Sequence, residues 1–81
     1  MNKINIKGPF ISLYTRYGVE GYDEHETKKD AIRKLAYGSD EGLIMDIAVI
    51  EVATKKMVWY KDFLGKEICQ DRVNKFVSKH L

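Results

Sequence analysis

The most hydrophobic part of the chain is the run at residues 43–52, and a shorter apolar run follows at residues 57–60. Both runs are rich in β-branched or aromatic side chains, which favour strands, and a short polar link at residues 53–56 separates them. Both sides of the first run are mainly apolar, as is typical of an inner strand that is covered on both faces. The pattern therefore predicts a hairpin at the centre of a sheet. We expect the carboxylate of Asp46, the exception in this run, to lean out to solvent at the strand edge.

The N-terminal part of the chain predicts two further strands. Residues 1–8 alternate apolar and polar side chains, which indicates a short edge strand or a flexible arm, and Pro9 then interrupts regular structure. Residues 10–17 are rich in aromatic and β-branched side chains and predict a strand. Two glycines at residues 18–21 indicate a turn, and residues 22–26 return as a short acidic strand.

Two segments have the periodicity of helices. At residues 28–37 the apolar side chains fall on one stripe, Thr27 is a candidate N-cap with Asp30 three residues later, and Gly38 is a candidate stop signal. At residues 66–80 an apolar face again recurs at helical spacing. The order is thus ββαββα, which predicts an α+β fold with one antiparallel sheet and two helices packed on one face.

This arrangement leaves the second face of the sheet uncovered. A face that is both aromatic and apolar is typical of an interaction surface, and a chain of 81 residues buries only a modest core. We therefore expect the protein to bind a protein partner, to form a homo-oligomer, or both.

Length and composition narrow the classes further. One domain spans residues 1–81, the formal net charge is +2, and Cys69, as the only cysteine, cannot form an intramolecular disulfide. The N-terminus has no apolar segment of a secretion signal, and the central apolar run is too short to span a membrane. These features indicate a cytoplasmic protein that does not associate with membranes.

Candidate catalytic chemistry is sparse. His25 lies among carboxylates at residues 23–26, but His80 is far away in the sequence, and a metal site needs three or four converging ligands. Cys69 lies on the apolar face of the second helix, which favours an inert buried thiol. Neither a nucleophile elbow nor a glycine-rich phosphate loop is present. We therefore predict no catalytic residues, no metal, no cofactor and no enzymatic activity.

The candidate binding residues are aromatic, cationic or acidic. Aromatic side chains and arginine dominate binding hot spots, and four acids lie within residues 20–26, whereas bases outnumber acids seven to three in residues 55–81. Asp40 and Glu41 are expected to extend the acidic patch. The full candidate set is Tyr14, Arg16, Tyr17, Glu20, Tyr22, Asp23, Glu24, Glu26, Trp59 and Tyr60.

Two functions fit these residues. The preferred one is a non-enzymatic protein-binding module, a regulator such as an inhibitor or adaptor, that acts through the exposed sheet face or the acidic patch. The alternative is binding of nucleic acid or a small nucleotide ligand on an aromatic and arginine-bearing sheet face, which the neighbouring acids disfavour. In general character, though in no specific motif, the chain resembles accessory proteins of bacteriophages and mobile elements, many of which inhibit or redirect a host factor.

Overall fold

The computed structural model describes residues 8–81. Its elements in chain order are β1 (Phe10–Arg16), β2 (Val19–His25), α1 (Lys28–Asp40), β3 (Met45–Glu51), β4 (Lys56–Tyr60) and α2 (Lys66–His80). The predicted α+β class, the order ββαββα and the single antiparallel sheet are confirmed. Apart from Gly8, the segment predicted as an edge strand or arm lies outside the described residues.

The four strands of the described sheet have the spatial order β2-β1-β3-β4. β1 pairs antiparallel with both β2 and β3, and β3 pairs antiparallel with β4. The prediction that the most hydrophobic run forms an inner strand is therefore confirmed. Because β2 and β4 are the two edge strands, the acidic strand and the start of the basic C-terminal part lie at opposite edges of the sheet.

One detail of the predicted architecture is corrected: the two helices lie on opposite faces of the sheet. Ile11 and Leu13 of β1 belong to a buried cluster with Val73 and Phe76 of α2, whereas Phe10 and Tyr14 pack in a cluster with α1. Alternate residues of a strand point to opposite faces, so these two clusters lie on either side of the sheet. Since β1 and β3 are apolar on both sides, each face needs its own cover, and the expected open face is absent from the described structure.

Thr27 caps α1 as predicted, because its Oγ1 accepts a hydrogen bond from the Asp30 amide at 3.0 Å. Gly38, however, does not end the helix, which continues to Asp40. A Cβ atom added at Gly38 would lie 2.6 Å from Cγ1 of Ile44, so the glycine permits close contact between α1 and the start of β3. Gly42, with a φ of 73°, supplies the left-handed turn after the helix.

Asp46 is buried, with only 3% of its surface exposed, so the expectation that it leans out to solvent is wrong. Its carboxylate lies 3.6 Å from Nζ of Lys61. Lys61 is held at this position because its backbone amide donates to the Ile47 carbonyl at 2.9 Å. The cost of burying the carboxylate is therefore offset by a nearby cation.

Candidate functional site

A groove of about 790 Å³ runs between the edge strand β4 and helix α2, and we call it the β4 groove. Its size is within the range of about 300–1,000 Å³ that is typical of ligand clefts. The residues that line it come from the β3–β4 turn, β4 itself, the following loop and one side of α2: Lys55, Lys56, Met57, Val58, Trp59, Tyr60, Asp62, Lys66, Gln70 and Asn74.

The pairing of β4 with β3 sets the direction of the backbone groups near the end of β4. The Lys61 amide donates to the Ile47 carbonyl at 2.9 Å, and Tyr60 is paired with Ala48 across the ladder. In an antiparallel pair of this kind, the amide and carbonyl of successive residues alternate between the two sides of the strand. The N–H and C=O of Tyr60 therefore point away from β3, towards the side on which the described sheet has no further strand.

The aromatic side chains of β4 are half-buried and divide between the two faces. Tyr60 and Met57 pack against the cluster under α2, whereas Trp59 and Val58 pack against the cluster under α1. The pairing register between β3 and β4 shifts between Val49 and Ile50, which is how two successive residues come to share a face. Trp59 and Tyr60 thus hold β4 in place from opposite sides and do not form one continuous aromatic surface.

The charges of the β4 groove are mainly positive and lie at its ends. Lys55 and Lys56 are exposed at the turn that begins β4, and Lys66 is exposed at the start of α2, near the other end of the strand. Asp62 is the acid among the lining residues. The other lining residues are uncharged, including Gln70 and Asn74 of α2.

The described structure does not form the predicted aromatic and arginine-bearing sheet face, for which Tyr14, Arg16, Trp59 and Tyr60 are candidates. Tyr14 and Trp59 both pack under α1, and Tyr60 lies on the other face. The ring of Tyr14 lies over Gly21 of β2, where an added Cβ would approach it to 2.9 Å. Burial, then the neighbouring Asp23 carboxylate, raises the pKa of the Tyr14 phenol, as expected of a ring that belongs to the packing.

Arg16 and Tyr17 lie at the β1–β2 turn, with the Arg16 guanidinium carbon 5.8 Å from the centre of the Tyr17 ring. Tyr17 is 91% exposed and has a φ of 52°, which places it in the turn. The turn therefore begins one residue before the predicted residues 18–21. Other exposed apolar side chains lie at the same end of the sheet, which we call the apolar end: Val19, Leu43 and Met45.

The acidic residues do not gather into one patch. Asp23 points to the α1 face, where its carboxylate lies 3.8 Å from Nζ of Lys34. Glu20 and Glu24 point to the other face, near opposite ends of β2, and a Glu24 oxygen accepts the Gly8 amide at 2.6 Å. Glu26 follows β2, and Asp40 and Glu41 lie at the C-terminal end of α1. Tyr22 packs its ring against Phe76 and is a core contact.

His25 has a partner that the sequence analysis did not identify. Its Nε2 atom lies 3.0 Å from Oγ of Ser12, and the two are hydrogen-bonded. The strand register could have suggested this pair. Ser12 lies opposite Asp23 and Phe10 lies opposite His25, so Ser12 and His25 are diagonal neighbours on the same face of β1 and β2. Ser12 is fully buried, so a substrate cannot reach its hydroxyl. The hydrogen bond with His25 gives this buried hydroxyl the partner that it needs. Within residues 8–81, no group of three or more metal-ligating side chains is placed to hold an ion.

Cys69 is fully buried against the sheet, with its Sγ atom 3.7 Å from the Lys61 carbonyl oxygen. Burial, with a smaller contribution from the charge of Asp46, raises the pKa of the Cys69 thiol. A raised pKa lowers the thiolate fraction at a given pH, and burial also blocks access, so both effects slow alkylation.

We expect Cys69 in the native protein to react with iodoacetamide at pH 8 about tenfold or more slowly than in urea. Mass spectrometry of quenched time points measures both rates. Equal rates in the two conditions would contradict the burial of the thiol.

Comparisons with known proteins give no relative: no family model, no curated protein and no solved structure matches the chain. In the part of the chain that is described, no helix is both long and apolar enough to cross a membrane.

Proposed function

We propose that this protein is a non-enzymatic binding module that takes an extended segment of a partner protein as an added strand along β4. The observation that supports this most directly is the outward-facing backbone of Tyr60, beside a groove bounded by α2. An exposed strand edge offers main-chain hydrogen bonds to an incoming peptide, and pockets beside it select side chains. The helix provides a wall that an isolated edge strand lacks.

A protein segment suits this groove better than a nucleic acid does. Stacking of successive bases needs aromatic rings on one surface, whereas Trp59 and Tyr60 pack on opposite faces of the sheet. A peptide strand needs only the backbone edge and room for alternate side chains, which β4 supplies. Nucleic-acid or nucleotide binding therefore remains the second candidate, supported by the lysines at the groove.

The acidic residues of β2 take a different role in this proposal. They lie on the far edge of the sheet from the β4 groove, so they do not form the surface that contacts the partner. Charged residues on an edge strand discourage pairing with other chains, which leaves β4 as the edge that accepts a strand. A regulatory role in the cytoplasm, as an inhibitor or adaptor, fits a small module with one peptide-binding edge and a free thiol.

Hydrogen exchange at Tyr60 tests the proposed function. In the free protein we expect the Tyr60 amide to exchange quickly and those of Trp59 and Lys61, which point towards β3, to exchange slowly. Decapeptides selected from an unbiased display library against the immobilised protein should slow exchange at Tyr60 by about tenfold or more on saturation. Two-dimensional NMR of labelled protein measures these rates residue by residue.

A peptide carrying N-methyl groups at alternate residues provides the control, because it keeps the side chains but cannot form a ladder with β4. It should lose both binding and the protection of Tyr60. The proposal fails if the selection yields no peptide, or if the selected peptides bind while Tyr60 continues to exchange as in the free protein.

A further inference from the structure

We infer that the segment bound in the β4 groove is acidic at both of its ends and uncharged in its middle. This inference rests on the proposed function and specifies the chemical class of its partner. It follows from the positions of three exposed lysines, two at the turn that begins β4 and one at the start of α2.

The lysines are spaced to act on both ends of one strand. Lys55 and Lys56 line the groove at the start of β4, and Lys66 lines it beyond the end of that strand, Tyr60. A strand rises about 3.3 Å per residue, so acids about five or six residues apart in an extended ligand would reach both ends. Opposite charges at the rim favour a chosen partner and speed its association.

The start of α2 strengthens this preference at the Lys66 end. Gly65 precedes the helix without a side-chain hydrogen bond to its first turn, so the amide groups there are left to other acceptors. The positive end of the helix dipole adds to the charge of Lys66, although Glu67 in the first turn offsets part of it. A carboxylate of the ligand is well suited to this position.

Charges elsewhere in the lining do not cancel the lysines. Asp62 is the acid that borders the groove, and on the adjoining face of α2 the carboxylate of Asp71 is 3.2 Å from Nζ of Lys75. The acids of β2 lie at the opposite edge of the sheet. A ligand with acidic ends therefore meets net positive charge along β4 and would meet like charge along β2.

The uncharged middle follows from the residues between the lysines. Met57 and Tyr60 are half-buried on the α2 face, and Gln70 and Asn74 form the helix side of the groove, where Gln70 Nε2 donates to Asn74 Oδ1 at 2.9 Å. These groups fit apolar or hydroxyl-bearing side chains. None of these four lining residues is charged, so a charge buried against them would lose its hydration without gaining a partner of opposite sign from them.

Charge-swapped peptides and variants test the inference. The tightest selected decapeptide is synthesised with Glu, Gln or Lys at its end positions, and binding is followed by the fluorescence of Trp59, the only tryptophan of the chain. We expect Glu ends to bind more tightly than Gln ends by about threefold to tenfold, and Lys ends to bind most weakly. The advantage of Glu ends should shrink as salt is added.

Two variants of the protein should each weaken this preference. Lys56→Glu and Lys66→Glu each remove a cation at one end of the groove, and the second places an acid at a helix N-terminus, where it favours folding. Lys29→Glu, at an exposed position on α1, makes the same change in net charge on the opposite face of the sheet and is the matched control. We expect the control to retain the preference of the parent protein.

The outcomes separate the two proposals. Equal binding of the Glu, Gln and Lys peptides, with Tyr60 still protected, would overturn the acidic partner and leave strand addition standing. No protection of Tyr60 by any peptide would overturn strand addition itself. Tighter binding of a single-stranded oligothymidine than of the Glu peptide, lost in Lys56→Glu but not in Lys29→Glu, would show that the groove binds nucleic acid instead.

Discussion

Replacing Phe76 by alanine is expected to lower the free energy of unfolding by about 3–5 kcal/mol. Phe76 is 1% exposed on the inner face of α2, where its ring meets Tyr22 edge-on at 5.1 Å between centroids and His80 at 4.6 Å. Small domains are stable by about 5–15 kcal/mol, so this one change would remove a large part of the total. Urea unfolding followed by circular dichroism measures the loss.

Phe63→Ala is the matched control, because Phe63 is 90% exposed in the loop before α2. The same change of side chain there should alter the free energy of unfolding by no more than about 0.5 kcal/mol. Phe76→Leu should fall between the two, since leucine fills part of the space. Similar losses for Phe63→Ala and Phe76→Ala would show that α2 does not pack on the sheet as described.

Replacing Gly38 by alanine is expected to destabilise the protein by about 1–3 kcal/mol. Helix propensity alone would predict the opposite, because alanine stabilises a helix by about 1 kcal/mol relative to glycine. The added Cβ would lie 2.6 Å from Cγ1 and 2.7 Å from Cδ1 of Ile44, which is too close for either side chain to keep its position. Packing therefore outweighs propensity at this position. Thermal unfolding and urea titration both measure the change.

The double variant Gly38→Ala, Ile44→Ala tests the cause. Ile44→Ala removes both atoms that the new Cβ would meet, so Gly38→Ala should become neutral or stabilising in that background. The coupling energy between the two changes should be about 1 kcal/mol or more. If Gly38→Ala is equally harmful in both backgrounds, the clash with Ile44 is not the cause.

Local signals predicted most of the elements. The helical periodicity of residues 66–80 gave α2 its observed bounds, and the pairing of Thr27 with Asp30 gave the start of α1. The end of α1 was missed because glycine after an apolar stripe is a common stop signal, whereas Gly38 meets a tertiary demand for space beside Ile44. A contact between elements that are joined by a loop leaves no periodic trace in the sequence.

The two-sided apolarity of the inner strands is the sequence signal that accounts for the placement of the helices. The two-sided apolarity of β3 predicted cover on both faces. β1 needs cover on both faces too, because Ile11 and Leu13 point to one face and Phe10 and Tyr14 to the other. Two helices on one face would have left half of these side chains in water. Strand order, which depends on pairing between distant segments, could not be read from local pattern.

The candidate site was predicted in part. Trp59 and Tyr60 were named from their residue types, and both line the β4 groove. The sequence shows the lysines around them only as a general excess of base, because their convergence depends on the turn at Lys55 and on where α2 begins. The acids of residues 20–26 were expected to gather into one surface, but alternation along a strand divides neighbours between two faces.

The order of strands joins the two ββα halves through one shared sheet. The central ladder joins β1 of the first half to β3 of the second, so each half contributes an inner strand whose second hydrogen-bonding edge is supplied by the other. Without the other half, that edge would lack its ladder partners, and the β1–β3 ladder joins segments that are distant in the sequence. We therefore expect the two patterns to unfold in one transition, because the central ladder of the described sheet joins them.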